Sequence, residues 1–550
     1  MYIYKREFHS TAYFIALILM AISLPLSKFT MSVMQFTLLG LWLWAGFSFE
    51  KAFDFFKKIN FFKGLINFLN YVIILGYNNI IDKFRIFFKN KPALILTSLF
   101  FLHVLGLIYT TDFSYAIKDL RTKLPLLMFP IVLSTMEPLN KKKFNWVMMF
   151  FVGAVLIGTF VSTYVLLKQE FTDIRKISIF ISPIRFSLNI SIAIFTLIYF
   201  IYKKEYFNIT TKIIFGIIAA WLIVFQFILE SGIGIVILLT ISFVLFIYLV
   251  FNLKKLYLKI GIISLLVIIP ILLYTYINDI VKDYNKVPDI DFSKLDKFTA
   301  LGNYYVHDTV FLGIEDGKYI GLYMSKKELK AAWNKRSSYD YNGKDQNVQE
   351  IKYTIIRFLT SKDYRKDAEG VNKLTDKEVK AIERGIANIN YLESPNLKTR
   401  VSKILMGYHN FKYAYDPNGN SVMQRIEYWK ASINIIKQHF LFGVGTGDMR
   451  DIFNEQYEKM NSILKLENRL RSHNQFMSIF IAFGLLGFMW FIFTLLYPPI
   501  KTRKFLNYFY AIFFITIILS MFTEDTIESQ AGATFFAFFN SFLIFCQKNE

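Results

Sequence analysis

Apolar runs about as long as a bilayer is thick recur along this chain. A helix needs about 20 apolar residues to cross the hydrocarbon core. Runs of that kind are read at 10–27, 29–49, 92–109, 122–137, 144–167, 184–202, 213–229, 232–252, 256–277, 475–497, 505–522 and 527–546, the fourth being short and weak. The expectation is an all-α polytopic membrane protein with about twelve transmembrane helices and one large, mainly helical extracytoplasmic loop domain. Composition agrees. The 550 residues are 54% hydrophobic and only 19% charged, against about 25% charged in soluble domains. Cys546 is the sole cysteine, which excludes a disulfide scaffold, Cys-rich zinc fingers and iron–sulfur clusters. The first run follows Lys5 and Arg6, has no small-residue cleavage site and leads straight into the second. It reads as a retained span, not a signal peptide.

The net charge of +22 does not mark a nucleic-acid binder. Residues 278–471 hold 32 basic and 26 acidic side chains, a net of +6, and the rest holds 31 and 15, a net of +16. Most of the excess sits in short loops between apolar runs, the positive-inside pattern. Basic clusters at Lys141–Lys143, at Lys203, Lys204 and Lys212, at Lys254, Lys255 and Lys259, and at Lys501, Arg503 and Lys504 occupy alternate loops. Those loops are expected in the cytoplasm, with both termini, which leaves the long loop outside the cytoplasm.

Three domains follow. Residues 1–277 form a membrane domain of about nine spans, residues 278–474 the extracytoplasmic loop domain, and residues 475–550 about three C-terminal spans. Within 51–91, eight Lys/Arg mixed with Phe and Ile suggest an amphipathic helix on the cytoplasmic face, the alternative being a short thirteenth span at 61–77. The loop domain opens with a hairpin expected from Tyr304–Leu312 and Lys318–Tyr323 around Glu315-Asp316-Gly317. Ser325 with Glu328, and Thr375 with Glu378, have capping-box spacing.

Ionisable residues at membrane depth are functional candidates by default. In this topology Arg121, Arg185, Glu230, His473, Glu524, Asp525 and Glu528 all fall at the outer face. Any one of them could be an interfacial anchor or a structural ion pair, but their convergence on one face favours a site. The span middles are nearly free of charge, which argues against a transporter, whose path charged residues would line. A non-catalytic receptor built on the outer loop would need neither the arginines nor the histidine.

The segment from Gln424 to Phe488 is the most informative. It holds Arg425 and Trp429 on an amphipathic stretch, then Gly443-Val444-Gly445-Thr446-Gly447, then His473-Asn474 before Gly484-Leu485-Leu486-Gly487. This order and spacing resembles the O-antigen ligase/polymerase family of bacterial membrane glycosyltransferases. IRFSLNISIAIF around Arg185, TIIRFLTSKDYRKDAEGV and EDTIESQAGATFFAFF look like the Bacteroidetes-type members. Two positions depart from the pattern. Pro183 stands where a histidine is expected, and Glu230-Ser231-Gly232 lacks the arginine of a Ser-Arg-x-Gly turn.

The resemblance implies transfer of a glycan from undecaprenyl diphosphate to a hydroxyl, at the outer face of the inner membrane. The acceptor is a lipid A–core sugar for ligases, a growing glycan for polymerases, or a protein hydroxyl for some relatives. It implies no cofactor and no metal, and the sequence has no HExxH and no Asp-rich diphosphate motif. Arg185 and Arg425 would then meet the diphosphate, since a guanidinium fork suits phosphate oxygens and keeps its charge, while Arg121 and Lys123 would either help to hold it or only anchor their span. His473 would be the base for the acceptor hydroxyl, with inversion at the anomeric carbon. Asn474, Glu230 and Glu524 would support them. The glycine turn follows a helix, lacks GxGxxG and has no lysine after it, so it reads as a sharp turn rather than a phosphate cradle.

Overall fold

A computed structural model describes residues 2–57, 61–168, 174–203, 207–287, 289–392, 397–414 and 416–547. Lys204, named above in a basic loop, lies outside the described residues. The chain is mostly helical, and every apolar run falls on a helix. Eight helices among the described residues are long and apolar enough to cross a membrane. Seven lie on the expected runs, and the eighth, Phe62–Lys89, lies in the basic segment near 51–91. Lys91–Leu105, Tyr508–Thr523 and Gln530–Phe545 are apolar but shorter. The second and fourth runs lie on Lys28–Leu43 and Phe113–Thr135.

The described residues divide into two compact units, one within 1–169, 175–244 and 425–550, the other within 170–174 and 245–424. In the first, the Gln530–Phe545 helix is buried along its whole length from Ala531 to Ile544, as expected of a helix apolar on all sides. It packs chiefly on Phe113–Thr135, and its Phe538 and Phe542 rings meet Phe129 and Phe144. Pro183–Tyr202 is buried along most of its length and packs on Ile209–Ile228. Polar caps set the helix starts. Ser182 accepts the Arg185 amide, Asn208 the Thr211 amide and Ser529 the Gly532 amide. Asn208, which opens a glycosylation-like triplet, is thus a cap.

The second unit holds its own core, in which Trp333, Ile351, Ile355, Phe358 and Leu359 are buried together. The hairpin forms around the expected turn, but its first strand is broken, since residues 309–312 leave the ladder. Ile314–Glu315 pairs with Lys318–Tyr319 around Asp316 and Gly317, and Val306–Asp308 pairs with Gly321–Met324. The Thr375–Glu378 capping box is present. The Ser325–Glu328 box is not. The Glu328 carboxylate is drawn instead to the Thr299 hydroxyl and to Asn303 Nδ2 and the Ala368 amide, three donors that outbid one backbone N–H.

The long helix Gln475–Lys501 breaks at Gly484, where φ is 62° and ψ is −166°. The break frees carbonyls, and the glycine-rich turn uses them. The amides of Val444 and Gly445 donate to Ile481 O and Ala482 O at 2.9 Å each, and Leu485 N donates to Phe440 O at 2.8 Å. A Cβ at Gly484 would strike the Leu441 carbonyl, and one at Gly443 would strike the Ala482 backbone. Thr446 N and Gly447 N are taken by Gly106 O and the Thr110 hydroxyl. The turn's amides are therefore spent on locking two backbones together, and phosphate cradling is not their role.

The Gly484 conformation belongs to a region that only glycine occupies freely, and forcing another residue there costs on the order of 1–3 kcal/mol. Gly484→Ala should therefore lower the thermal unfolding midpoint in detergent. Gly153→Ala is the control, since Gly153 lies in a helix with nothing within 4 Å of an added Cβ, and it should hold or raise the midpoint. Equal midpoints for Gly484→Ala and the native chain would show that the break is not required.

Candidate functional site

The site is built around the short segment between the last two apolar helices, Tyr508–Thr523 and Gln530–Phe545. It carries Glu524, Asp525 and Glu528, and each carboxylate is buried or nearly so. Ionised carboxylates out of water must be paired, and each of these gathers partners from distant parts of the first unit.

Glu524 bridges two of the expected site residues. Its Oε1 accepts from Arg425 Nη2 at 2.8 Å, and its Oε2 lies 3.4 Å from His473 Nδ1. Burial pushes the Glu524 carboxyl up, but His473, Arg185 and Arg425 together outweigh it and hold it below the ordinary carboxylate value. Arg425 is thus paired with Glu524, while Glu427 pairs with Lys430 and Glu455 with Lys459.

Asp525 pins the loop that carries the histidine. Its Oδ1 accepts from the hydroxyls of Ser472 at 3.2 Å and Ser478 at 2.7 Å, and from Asn474 N at 3.1 Å. Asn474 caps the helix that follows by accepting the Phe476 and Met477 amides, and its Nδ2 donates to Phe522 O at 3.0 Å. His473 between them has a φ of 47°, a left-handed backbone that costs a non-glycine residue energy and persists only where its surroundings enforce it. The helix Ser421–Gln438 adds three restraints. The His473 ring stacks on Tyr428 with centroids 5.5 Å apart, Trp429 Nε1 donates to Ser472 O at 3.1 Å, and the Tyr428 hydroxyl donates to Asn468 O at 2.9 Å.

Arg185 enters from the first turn of Pro183–Tyr202. It is 8% exposed, and its Nη2 donates to the Asp525 carbonyl at 3.1 Å. Gly532 leaves it room, since a Cβ there would lie 3.0 Å from Arg185 Nε. Two guanidinium groups remain under-used. Arg185 Nη1 and Arg425 Nε are buried with no hydrogen-bond partner among the described residues. A buried donor left unpaired costs about 1–3 kcal/mol, and more in a charged group, so these N–H groups are ready for an anionic acceptor.

Glu528 organises a second network, largely unread in the sequence. Its Oε2 accepts from Lys123 Nζ at 2.7 Å and Arg471 Nη1 at 3.3 Å, and its Oε1 from Gln475 Nε2 at 3.0 Å. Lys123 is fully buried and also pairs with Asp119 one turn earlier, at 2.5 Å. Burial again pushes the Glu528 carboxyl up, and Lys123 and Arg471 hold it far below the ordinary value. Arg471 and Gln475 flank His473 and Asn474 in sequence, so this network grips the loop from both sides. The Asp119–Lys123 spacing was a readable signal. The link to Glu528, some 400 residues away, was not.

Arg185, Arg425, His473, Asn474 and Glu524 are therefore brought together. Arg121 is exposed on Phe113–Thr135, two residues from the buried Lys123, and does not join Glu524's described partners. Glu230 occupies the turn after Ile209–Ile228 with a φ of 51°, next to Ser231, whose hydroxyl donates to that of Ser187 at 2.9 Å.

Residues 382–492 match the family model described as O-Antigen ligase. The resemblance drawn from sequence is thus shown over the segment that holds Arg425, Trp429, the glycine turn and His473-Asn474. Among curated proteins nothing matches this chain.

Removing one partner of a buried pair typically costs about 3–5 kcal/mol. Lys123→Met should accordingly lower the unfolding midpoint by many degrees at neutral pH. The effect should depend on pH with a definite sign. The Glu528 pKa is depressed in the folded chain, so its stabilisation is present above the ordinary carboxylate value and is lost as pH falls through the depressed one. Without Lys123 the Glu528 carboxyl takes up its proton more readily. The gap between native and variant should therefore narrow on acidification. A gap that widens would contradict a charged Glu528.

Proposed function

We propose that this chain transfers a glycan from an undecaprenyl-diphosphate carrier to an acceptor hydroxyl, at the outer face of the inner membrane. The observation that carries the reading is the pair of buried, unpartnered N–H groups on Arg185 and Arg425, set beside a histidine that a carboxylate orients. The match of residues 382–492 to an O-antigen ligase supports the reaction class.

The roles follow from charge and geometry. Glu524 takes the proton-bearing Nδ1 of His473, which leaves Nε2 as the basic nitrogen. That nitrogen takes the acceptor hydroxyl's proton as the oxygen bonds to the anomeric carbon. On the opposite face the bond to the diphosphate oxygen breaks, and the electron pair leaves with the diphosphate. One displacement inverts the anomeric centre. Negative charge grows on the leaving diphosphate, and Arg185 Nη1 and Arg425 Nε are the preorganised donors that meet it. The 3.4 Å contact of His473 with Glu524 is long, as catalytic hydrogen bonds often are before substrate arrives. Ligase and polymerase share this chemistry and differ in the acceptor.

His473→Ala should reduce transfer from a synthetic lipid-diphosphate glycan by about 10²–10⁴-fold while donor binding survives. Arg185→Lys and Arg425→Lys keep the charge but lose the fork, and each should cost roughly 10²–10³-fold. A strong chelator should leave native activity intact. Near-normal transfer by His473→Ala removes the base from the mechanism, and loss of native activity on chelation removes the arginine clamp.

Orientation is tested separately. Single cysteines at Asn342 and Thr502 should respectively react and fail to react with an impermeant thiol reagent, on intact cells with a permeabilised outer membrane. The reverse pattern would place the site on the wrong side of the membrane.

A further inference from the structure

In the second unit the strongest exposed apolar feature lies off the long helices. Tyr305 is buried while Tyr304 and Val306 on either side of it face out. The chain then leaves the hairpin ladder between Asp308, paired with Gly321, and Gly313, whose carbonyl accepts Ile320 N at 3.0 Å. The residues between form a spur, with Val310 79% and Phe311 92% exposed. The spur is a built structure. Asp308 Oδ1 accepts the Val310 and Phe311 amides at 2.9 and 2.8 Å, which holds both side chains outward.

The hairpin stands on the end of an apolar helix. Its turn residues Asp316 and Gly317 are left-handed, with φ of 49° and 70°. A Cβ at Gly317 would lie 3.2 Å from Asp283 O and 3.3 Å from Lys286 O, so the turn rests on the C-terminal end of Leu256–Asn285. Arg357 fixes the strand by gripping Glu315 with two bonds, at 2.7 and 3.0 Å. The helix is long and apolar enough to cross a membrane, and its apolar run ends at Ile277. The eight polar-flanked residues from Asn278 to Asn285 then stand off by about 12 Å, at about 1.5 Å per residue. The strand Ile314–Glu315 leads from that turn toward Gly313 and covers about 7 Å, at about 3.3 Å per residue. With the residues from Gly313 to Val310 beyond it, the chain is long enough to cover the stand-off, so the spur has the reach to return to the membrane edge.

We propose that the Val310–Phe311 spur is a membrane anchor of the second unit, inserted into the leaflet in which Leu256–Asn285 ends. This rests on reading that helix as a span. The chemistry selects lipid over sugar. Val310 and Phe311 bring no hydrogen-bonding side chain, Leu312 behind them packs on the unit's own core, and the Phe298 and Tyr304 rings are turned on each other, with centroids 4.5 Å apart. An aliphatic and aromatic tip beside a membrane-leaving helix is what an acyl-chain boundary accepts, and its burial there removes apolar surface from water.

The test uses the full chain in a Cys546→Ala background, labelled with an environment-sensitive fluorophore at single cysteines. The positions are Val310→Cys, Phe311→Cys, Asn342→Cys as an exposed site of the same unit, and Leu265→Cys within the apolar helix. Proteoliposomes of phosphatidylethanolamine and phosphatidylglycerol are prepared with and without lipid bearing a nitroxide high on its acyl chain. The probes at 310 and 311 should emit to the blue of the probe at 342 and be quenched several-fold more strongly. Quenching at 265 with none at 310 and 311 overturns the anchor while the span stands. No quenching at 265 overturns the span and the anchor with it. Blue emission at 310 and 311 without lipid quenching means burial against a second copy or a glycan, and also overturns the anchor.

Discussion

Three carboxylates within five residues, Glu524, Asp525 and Glu528, have to stay ionised out of water at the end of an apolar helix. The effective penalty for burying one such ion is several kcal/mol, and no single neighbour offsets it. Each therefore recruits its own set of donors. Glu524 takes Arg425 and His473, Asp525 takes two serines and the Asn474 amide, and Glu528 takes Lys123, Arg471 and Gln475. The recruited groups come from helices hundreds of residues apart, so the charge constraint fixes which helix ends meet. A loop between two apolar helices becomes in this way the hub of the first unit.

How much of this was legible depended on whether the signal was local. Helix positions followed from apolar runs, the Asp316-Gly317 turn from its residues, and the Thr375 cap from its spacing, because each is decided within a few residues. The helix bearing Lys123 starts earlier than the apolar run implied. Asp112 caps it, accepting the Tyr115 amide at 2.9 Å, and its charged turn is buried only because Glu528 arrives from the far end of the chain. Periodicity cannot see such a partner. Glu328 failed as a capping residue for the same reason, since its donors Thr299 and Asn303 and the Ala368 amide lie outside its own helix. The motif residues around Arg425 and His473 were legible through the family resemblance.

The glycine-rich turn shows how a motif can be right in place and ordinary in chemistry. Glycines that could cradle a phosphate are here spent on a close backbone approach, and the amides that would bind an anion already donate to carbonyls of a broken helix. The break and the turn need each other. Gly484 exposes the carbonyls of Ile481 and Ala482, and only a glycine at 443 lets the turn come near enough to take them. The same helix begins at Asn474, so the lock at Gly484 also holds the far end of the element that carries the histidine loop.

Charge balance then says how an anionic ligand is held. Leaving His473 aside, the basic side chains Lys123, Arg185, Arg425 and Arg471 face as many acidic ones, Asp119, Glu524, Asp525 and Glu528, so the two signs are matched in number. Excess positive charge is therefore not what would bind a diphosphate. What remains is direction, in two buried guanidinium N–H groups with no partner among the described residues, fixed by the carboxylates and carbonyl that use the other donors. Oriented donors of this kind do not reorganise as charge develops, and they act most strongly where water is excluded. The internal carboxylates thus do two jobs with one arrangement. They offset the charge of the arginines, and in the proposed transfer they leave Arg185 Nη1 and Arg425 Nε, without partners among the described residues, for the charge that would appear as a diphosphate departs.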